Sequence, residues 1–210
     1  MTEGVFITAT DTGVGKTWVG CALAARLRRR GVRLQVRKPV ESGCPETETG
    51  LLPQDALALR NAAATPEPLE RICPYRFRTP VSPARAAELE RRPITLTALV
   101  DACRPLPDHW RLVEGAGGFY SPLTSDGVNA DLAESLKLPL LLVAPDRLGV
   151  LSAILLALEA AERRGLSVAA VFLNRIVPPP RELDNAAELR RWTGVPVVRE
   201  IEALIGLVSP

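Results

Sequence analysis

The chain has 210 residues, with 26 Lys and Arg against 24 Asp and Glu, a formal net charge of +2, and a single histidine. That charge is too small to argue for nucleic acid or a membrane surface as a partner, and one histidine nearly excludes His-based triads and histidine-rich metal sites. Hydrophobic residues make up 47% of the chain but aromatic residues only 4%, so the core must be built from Leu, Val, Ala and Ile.

The first expected element is a strand over residues 5–9, carried by Val5-Phe6-Ile7. It runs into Ala9-Thr10-Asp11-Thr12-Gly13-Val14-Gly15-Lys16-Thr17. Strand, glycine-containing loop ending in Lys-Thr, then helix is the context of a phosphate-binding loop. Backbone N–H groups of residues 13–17 would face phosphates at the positive end of a helix. Lys16 would reach the β- and γ-phosphates, and the Thr17 hydroxyl would hold Mg²⁺. Ala9 replaces the first glycine of the usual pattern, which is acceptable if φ stays negative there. The following helix, roughly 16–30, shows Val19, Leu23 and Leu27 on one face. It ends in Arg28-Arg29-Arg30 before Gly31, which suits both the helix dipole and a glycine cap.

A second strand is expected over 33–38, followed by Lys38-Pro39-Val40-Glu41-Ser42-Gly43. Residues 43–53 and 65–83 are rich in Gly, Pro, Thr and Glu and read as loops. Between them, Pro53 to Ala64 reads as a short helix with Asp55 in its first turn. Alone, that aspartate reads as a surface carboxylate favoured by the dipole. His109 reads as a surface-loop residue at the entry to a strand over 111–114. That strand finishes in Glu114 and is followed by Gly115-Ala116-Gly117-Gly118. A carboxylate at such a strand end can hold Mg²⁺, and the glycines allow backbone to approach phosphate.

Further strands are expected over 139–144, 168–173 and 196–199. A helix near 149–164 carries Val150, Ile154, Leu158 and Ala161, with few charges before Glu159. Its apolar residues lie on most sides, more than one core-facing stripe needs, which predicts a twofold homodimer. Asn174-Arg175 follow the fifth strand, with Asn174 either capping that strand or facing a ligand. The Pro178-Pro179-Pro180 run reads as a stiff connector to a helix over about 181–193.

Strands alternating with helices predict an α/β fold, a P-loop NTPase-like, doubly wound, mostly parallel sheet with helices on both faces. One domain over 1–210 is expected. In such a sheet ligands bind outside the carboxyl ends of the strands, so the segments after strands one, two, three and five should converge on one crevice. Only three of the 26 cationic side chains are lysines, Lys16, Lys38 and Lys137. A chain that otherwise uses arginine retains lysine where a compact ammonium is needed, and two of the three lie in these segments. The four cysteines, Cys21, Cys44, Cys73 and Cys103, are too far apart in sequence for a metal or redox motif. The longest apolar run, around Leu138–Ala144, is interrupted by Pro139 and is too short to span a membrane. With a strand beginning almost at the first residue, no signal peptide is expected, and a cytoplasmic location is.

These motifs, taken together, resemble the dethiobiotin synthetase family. The carrying residues are Thr10-Asp11-Thr12 with Val14-Gly15-Lys16-Thr17, Lys38-Pro39-Val40 with Ser42-Gly43, Asp55-Ala56-Leu57, Pro74-Tyr75, Val113-Glu114-Gly115-Ala116-Gly117-Gly118, and Leu148-Gly149. They appear in the family's order over nearly the whole length. The resemblance implies ATP- and Mg²⁺-dependent carboxylation and ring closure of 7,8-diaminononanoate with CO₂, through a carbamate and a carbamic–phosphoric anhydride. By the family's pattern Thr17, Asp55 and Glu114 hold Mg²⁺, Lys16 spans carbamate and γ-phosphate, and Lys38 serves the carbamate. Thr12 and Ser42 contact the substrate. ATP meets Gly13, Val14, Gly15, Lys16, Thr17 and Trp18, then Gly115, Ala116 and Gly117. Asn174 with Arg175 reads the adenine, alongside Glu200, Ile201, Glu202 and Ala203. Leu148, Gly149 and Ser152 would meet the substrate's carboxylate tail from the partner subunit of a homodimer. Another ATP-dependent ligase of cofactor synthesis and a regulatory partition-type ATPase are the alternatives. The latter type carries an extra lysine in the first half of the loop, and Thr10-Asp11-Thr12-Gly13 has none.

Overall fold

A computed structural model describes residues 4–209 apart from 176, 178, 179 and 181. Six parallel strands form the central sheet: β1 (Gly4–Ala9), β2 (Leu34–Arg37), β3 (Trp110–Glu114), β4 (Leu140–Pro145), β5 (Val168–Asn174) and β6 (Val197–Val198), in the spatial order β6-β5-β4-β1-β3-β2. β1 lies centrally, with Phe6 opposite both Leu140 and Val113. From β1 the chain crosses to β2 at one edge and returns to β3 between them, then builds outward on the other side through β4, β5 and β6. The order therefore reverses beside β1, where a doubly wound sheet opens its ligand crevice.

Every residue of β1 is buried, as expected for a strand covered on both faces. Side chains alternate: Val5, Ile7 and Ala9 join one apolar cluster and Phe6 the other. The first face is covered by α1 (Lys16–Arg29), α2 (Gln54–Ala63) and a terminal helix, Ile201–Val208. The second is covered by α3 (Pro83–Leu89), α4 (Leu96–Ala102) and α5 (Asn129–Leu136). α6 (Val150–Arg163) and α7 (Asn185–Leu189) pack over β4 and β5; the terminal helix is α8.

All six expected strands are found within two residues of their predicted ends. The predicted helix over 181–193 is shorter: α7 spans Asn185–Leu189, with Asp184 capping it by accepting from the Ala187 N–H. Pro178 and Pro179 of the expected proline connector, and Arg181 at the expected helix start, lie outside the described residues. The expected loop 43–53 contains a small hairpin, Glu46–Thr47 with Gly50–Leu51. The expected loop 65–83 contains one helical turn, Leu69–Ile72, and a short strand, Tyr75–Arg76, paired with Val40–Glu41. Cys21 is half-buried against the core, and all four cysteines are free. Among the described residues no helix is long and apolar enough to cross a membrane.

Candidate active site at the carboxyl ends of the strands

The loop after β1 is held from β5. The Asn174 amide nitrogen donates to the Val14 carbonyl at 2.9 Å, so Asn174 reaches the phosphate loop rather than merely capping its strand. Gly15 has φ 92°, and a Cβ there would stand 2.1 Å from that nitrogen; only glycine fits. Ala9 remains in the strand and is not among the positive-φ residues, so alanine is tolerated there. No acidic side chain lies in the first turn of α1, which leaves its N-terminal amides and partial positive charge to face an anion.

Lys38 leaves the end of β2 and is 3% exposed. Its ammonium donates to Glu114 Oε1 at 2.6 Å and to the Gly115 carbonyl at 3.0 Å, and lies 3.1 Å from Asp55 Oδ2. The Thr17 hydroxyl donates to the same Glu114 oxygen at 2.8 Å. One lysine, one threonine and two carboxylates, drawn from β2, α1, β3 and α2, thus meet at a point. Burial opposes the charge on Lys38, but Glu114 and Asp55 outweigh it and raise its pKa above the usual lysine value. Burial also opposes the charge on Asp55, yet Lys38, the Thr17 hydroxyl and Lys16 hold its carboxyl below the ordinary range. Asp55 is therefore not a plain surface carboxylate, and Lys38 is not a solvated edge charge.

Lys16 lies alongside, 7% exposed, with its ammonium 3.2 Å from the Asp11 carbonyl. Burial and the neighbouring Lys38 charge bring its pKa down to about 8, against the opposing pull of Glu114, Asp55 and Asp11. A cavity of about 280 Å³ opens over these groups, with Thr12, Gly13, Glu41, Ser42, Ala116 and Gly117 also on its walls. Because Lys16 is part neutral near pH 8 while Lys38 is held charged, an amine-acylating reagent at that pH should modify Lys16 well before Lys38. MgATP should protect it. Peptide mapping of labelled protein checks this, and preferential labelling of Lys38 would contradict it.

The residues present suit Mg²⁺. Glu114 is fully buried, and its Oε2 has no hydrogen-bond partner among the described residues. A buried, unpartnered carboxylate oxygen is costly unless a donor or cation completes it. No group of three or more His, Cys, Asp or Glu side chains is arranged to hold a metal among the described residues. Two carboxylates and a hydroxyl are the hard-oxygen set that Mg²⁺ takes together with nucleotide phosphates.

Other predicted residues lie outside this cavity. Trp18 is 59% exposed and tilts against Phe172, with ring centroids 6.5 Å apart. The Arg175 side chain bonds buried Asp146 at 3.0 Å. Ile201 is in the core, Glu202 pairs with Arg26 and Arg30, and Glu200 and Ala203 are exposed. Ser42, by contrast, is on the cavity wall, with its hydroxyl donating to the Val81 carbonyl at 2.6 Å. Leu148, Gly149 and Ser152 sit at the start of α6, Leu148 being 78% exposed, and do not line the cavity.

Two residues were missed by sequence reasoning. Asn129 is fully buried, accepts the Ala116 N–H, and donates to the Ala116 and Gly118 carbonyls, so it fixes the loop after Glu114. Glu41 caps α2 from a distance, accepting the Asp55 and Ala56 N–H groups at 3.0 and 3.1 Å. Its place directly after Lys38-Pro39-Val40 was the available signal.

A family model described as an AAA domain matches residues 3–210. An "ATP-dependent dethiobiotin synthetase BioD" of Anaeromyxobacter dehalogenans is 47% identical over 91% of this chain and 86% of its own length. "ATP-dependent dethiobiotin synthetase BioD 1" of Salmonella typhi is 38% identical over 96% of this chain and 90% of its own. Among solved structures, a ParA family ATPase from Chlorobium tepidum TLS superposes with TM-score 0.54 at 15% identity, covering 94% of this chain and 83% of that one. The signal recognition particle receptor FtsY from Elizabethkingia anophelis gives 0.51 at 15% identity, covering 95% and 60%. At such identity these two are likenesses of fold alone.

Proposed function

The chain belongs to the ATP-dependent dethiobiotin synthetase family, and from that premise we propose that it joins 7,8-diaminononanoate to CO₂ and closes the ring at the expense of ATP. It is an ATP-dependent ligase that forms C–N bonds. One amine adds to CO₂ and loses a proton to give a carbamate. A carbamate oxygen attacks the γ-phosphorus, ADP leaves, and a carbamic–phosphoric anhydride remains. The second amine attacks the carbonyl carbon, the C–O bond to phosphate breaks, and a five-membered cyclic urea forms. Products are dethiobiotin, ADP and phosphate.

The observation that carries this reading is the second ammonium. A plain phosphate-binding loop supplies one lysine. Here Lys38 joins Lys16 on the same cavity wall and is kept charged by two carboxylates. The carbamate is an anion that must approach an anionic triphosphate, and a second fixed positive charge lets it do so. Lys16 and the amides of Gly13–Thr17 hold the β- and γ-phosphates. Thr17, Asp55 and Glu114 would hold Mg²⁺, which when bound neutralises phosphate oxygens. Thr12 and Ser42 position the diamine. Asn174, with Arg175 and the segment Glu200–Ala203, holds the adenine, its amide nitrogen already committed to Val14. The test is incubation with MgATP, bicarbonate and the diamine. Equal amounts of dethiobiotin, ADP and phosphate are expected, with no product when any component is omitted.

The same proposal includes a cytoplasmic homodimer of one-domain chains. On α6 only Val150, Ile154 and Ala161 are buried, and Leu156 is 64% exposed. Leu156, Ala153 and Ala157 line a cavity of about 520 Å³ with Phe119 and Tyr120, bordered also by Thr10, Glu159 and Arg163. A second copy covering this face would bring Leu148, Gly149 and Ser152 of the partner subunit toward the substrate's tail. Leu156→Glu should therefore shift a sedimenting dimer toward monomer and raise KM for the diamine more than for ATP. A parent protein that is a fully active monomer at micromolar concentration would refute the assembly.

A further inference from the structure

We propose that Glu41 is a positioning residue for Asp55, holding that carboxylate where Mg²⁺ is bound; the inference rests on the metal reading above. Glu41 is 7% exposed, and its own backbone is fixed by parallel pairing of Val40–Glu41 with Tyr75–Arg76. The Phe77 N–H donates to the Glu41 carbonyl at 2.9 Å. From that anchored position the side chain crosses to α2, where Oε1 accepts the Asp55 N–H at 3.0 Å and Oε2 accepts the Ala56 N–H at 3.1 Å.

The first turn of a helix has unpaired N–H groups that need acceptors. α2 supplies none locally: the residue preceding it is Pro53, which makes no side-chain cap. Glu41 takes two of those groups, and one belongs to Asp55 itself. The Asp55 carboxylate then reaches the Lys38 ammonium at 3.1 Å, beside Thr17 and Glu114. Glu41 is thus a second carboxylate beside Asp55 on the wall of this cavity. Residues that orient a metal ligand typically cost about 10- to 100-fold in metal affinity when lost.

The experiment is a Mn²⁺ titration of the protein–ADP complex, followed by the paramagnetic resonance of free Mn²⁺, for the parent, Glu41→Ala, Glu41→Gln and Asp55→Asn. Nucleotide binding without metal and thermal unfolding are measured beside it. Glu41→Ala should weaken Mn²⁺ about tenfold or more, with metal-free ADP binding unchanged within about twofold. Glu41→Gln, which keeps one acceptor, should fall between. If Asp55→Asn weakens Mn²⁺ and neither Glu41 variant does, Glu41 is only a helix cap and the proposal is overturned. If Asp55→Asn itself leaves Mn²⁺ unaffected, the metal reading fails first. Should Glu41→Ala not fold, the Glu41→Gln titration decides by the same criterion.

Discussion

Lys38→Gln should lose diamine-dependent turnover by about a hundredfold or more while KM for ATP moves only a few-fold. Removing one preorganised charge donor from an active site typically costs about 3 kcal/mol of transition-state stabilisation. Lys38 is such a donor: it is buried, held at three oxygens, and kept protonated by Glu114 and Asp55. Its charge is needed only where the carbamate forms and attacks, so ATP binding should survive. Lys38→Arg should rescue poorly, because a planar fork cannot occupy the point where Glu114, Asp55 and the Gly115 carbonyl converge. Lys16→Gln should instead damage nucleotide affinity as well. Steady-state kinetics with saturating diamine and bicarbonate decide the matter; a Lys38→Gln enzyme near the parent rate would return Lys38 to the status of a structural charge.

The largest effect on stability should come from the same pair. Lys38 and fully buried Glu114 form a 2.6 Å ion pair. Truncating one partner of a buried pair leaves an uncompensated charge and typically costs about 3–5 kcal/mol, whereas replacing both by apolar groups is often neutral or better. Lys38→Met should therefore lower the urea midpoint sharply in metal-free protein. Lys38→Met/Glu114→Met should regain most of that loss, although Thr17 loses its acceptor, and should remain inactive. Additive destabilisation in the double variant would contradict the account. Among the described residues Asp55 is the other carboxylate paired with Lys38, and it is half-exposed, which is why Glu114 rather than Asp55 sets the size of the effect.

The sheet was readable because parallel strands covered on both faces are short continuous apolar runs, and β1, β3 and β4 are buried throughout. The phosphate loop and Glu114 were readable for a related reason: each is a local signal, glycines and charges directly after a strand. α3, α4 and α5 were not anticipated. They have seven or eight residues each, fewer than a helical period needs to declare itself. The helix expected over 181–193 failed in the opposite direction. Beyond Leu189 the chain turns back, with the Trp192 and Thr193 N–H groups both bonding the Leu189 carbonyl.

In the site, Asp55 was legible only through the family resemblance. Its meaning comes from Lys38, which a loop and hairpin separate from it in the chain, and no local pattern records that contact. Asn129 was hidden for the same reason, and Glu41 offered only its place directly after Lys38-Pro39-Val40. Their work is to hold backbone groups of other segments, and a side chain that accepts a distant N–H has no spacing by which to recognise it.

In the proposed reaction a carbamate oxygen, not water, takes the γ-phosphoryl group. Rapid-quench turnover with MgATP, the diamine and freshly dissolved ¹⁸O-labelled CO₂, before the label exchanges with water, tests it directly. One labelled oxygen should appear in the released phosphate for each dethiobiotin formed, since the C–O bond that breaks on ring closure leaves its oxygen on phosphorus. Phosphate released without that oxygen, or at the same rate without diamine, would make the protein a hydrolase and contradict the account.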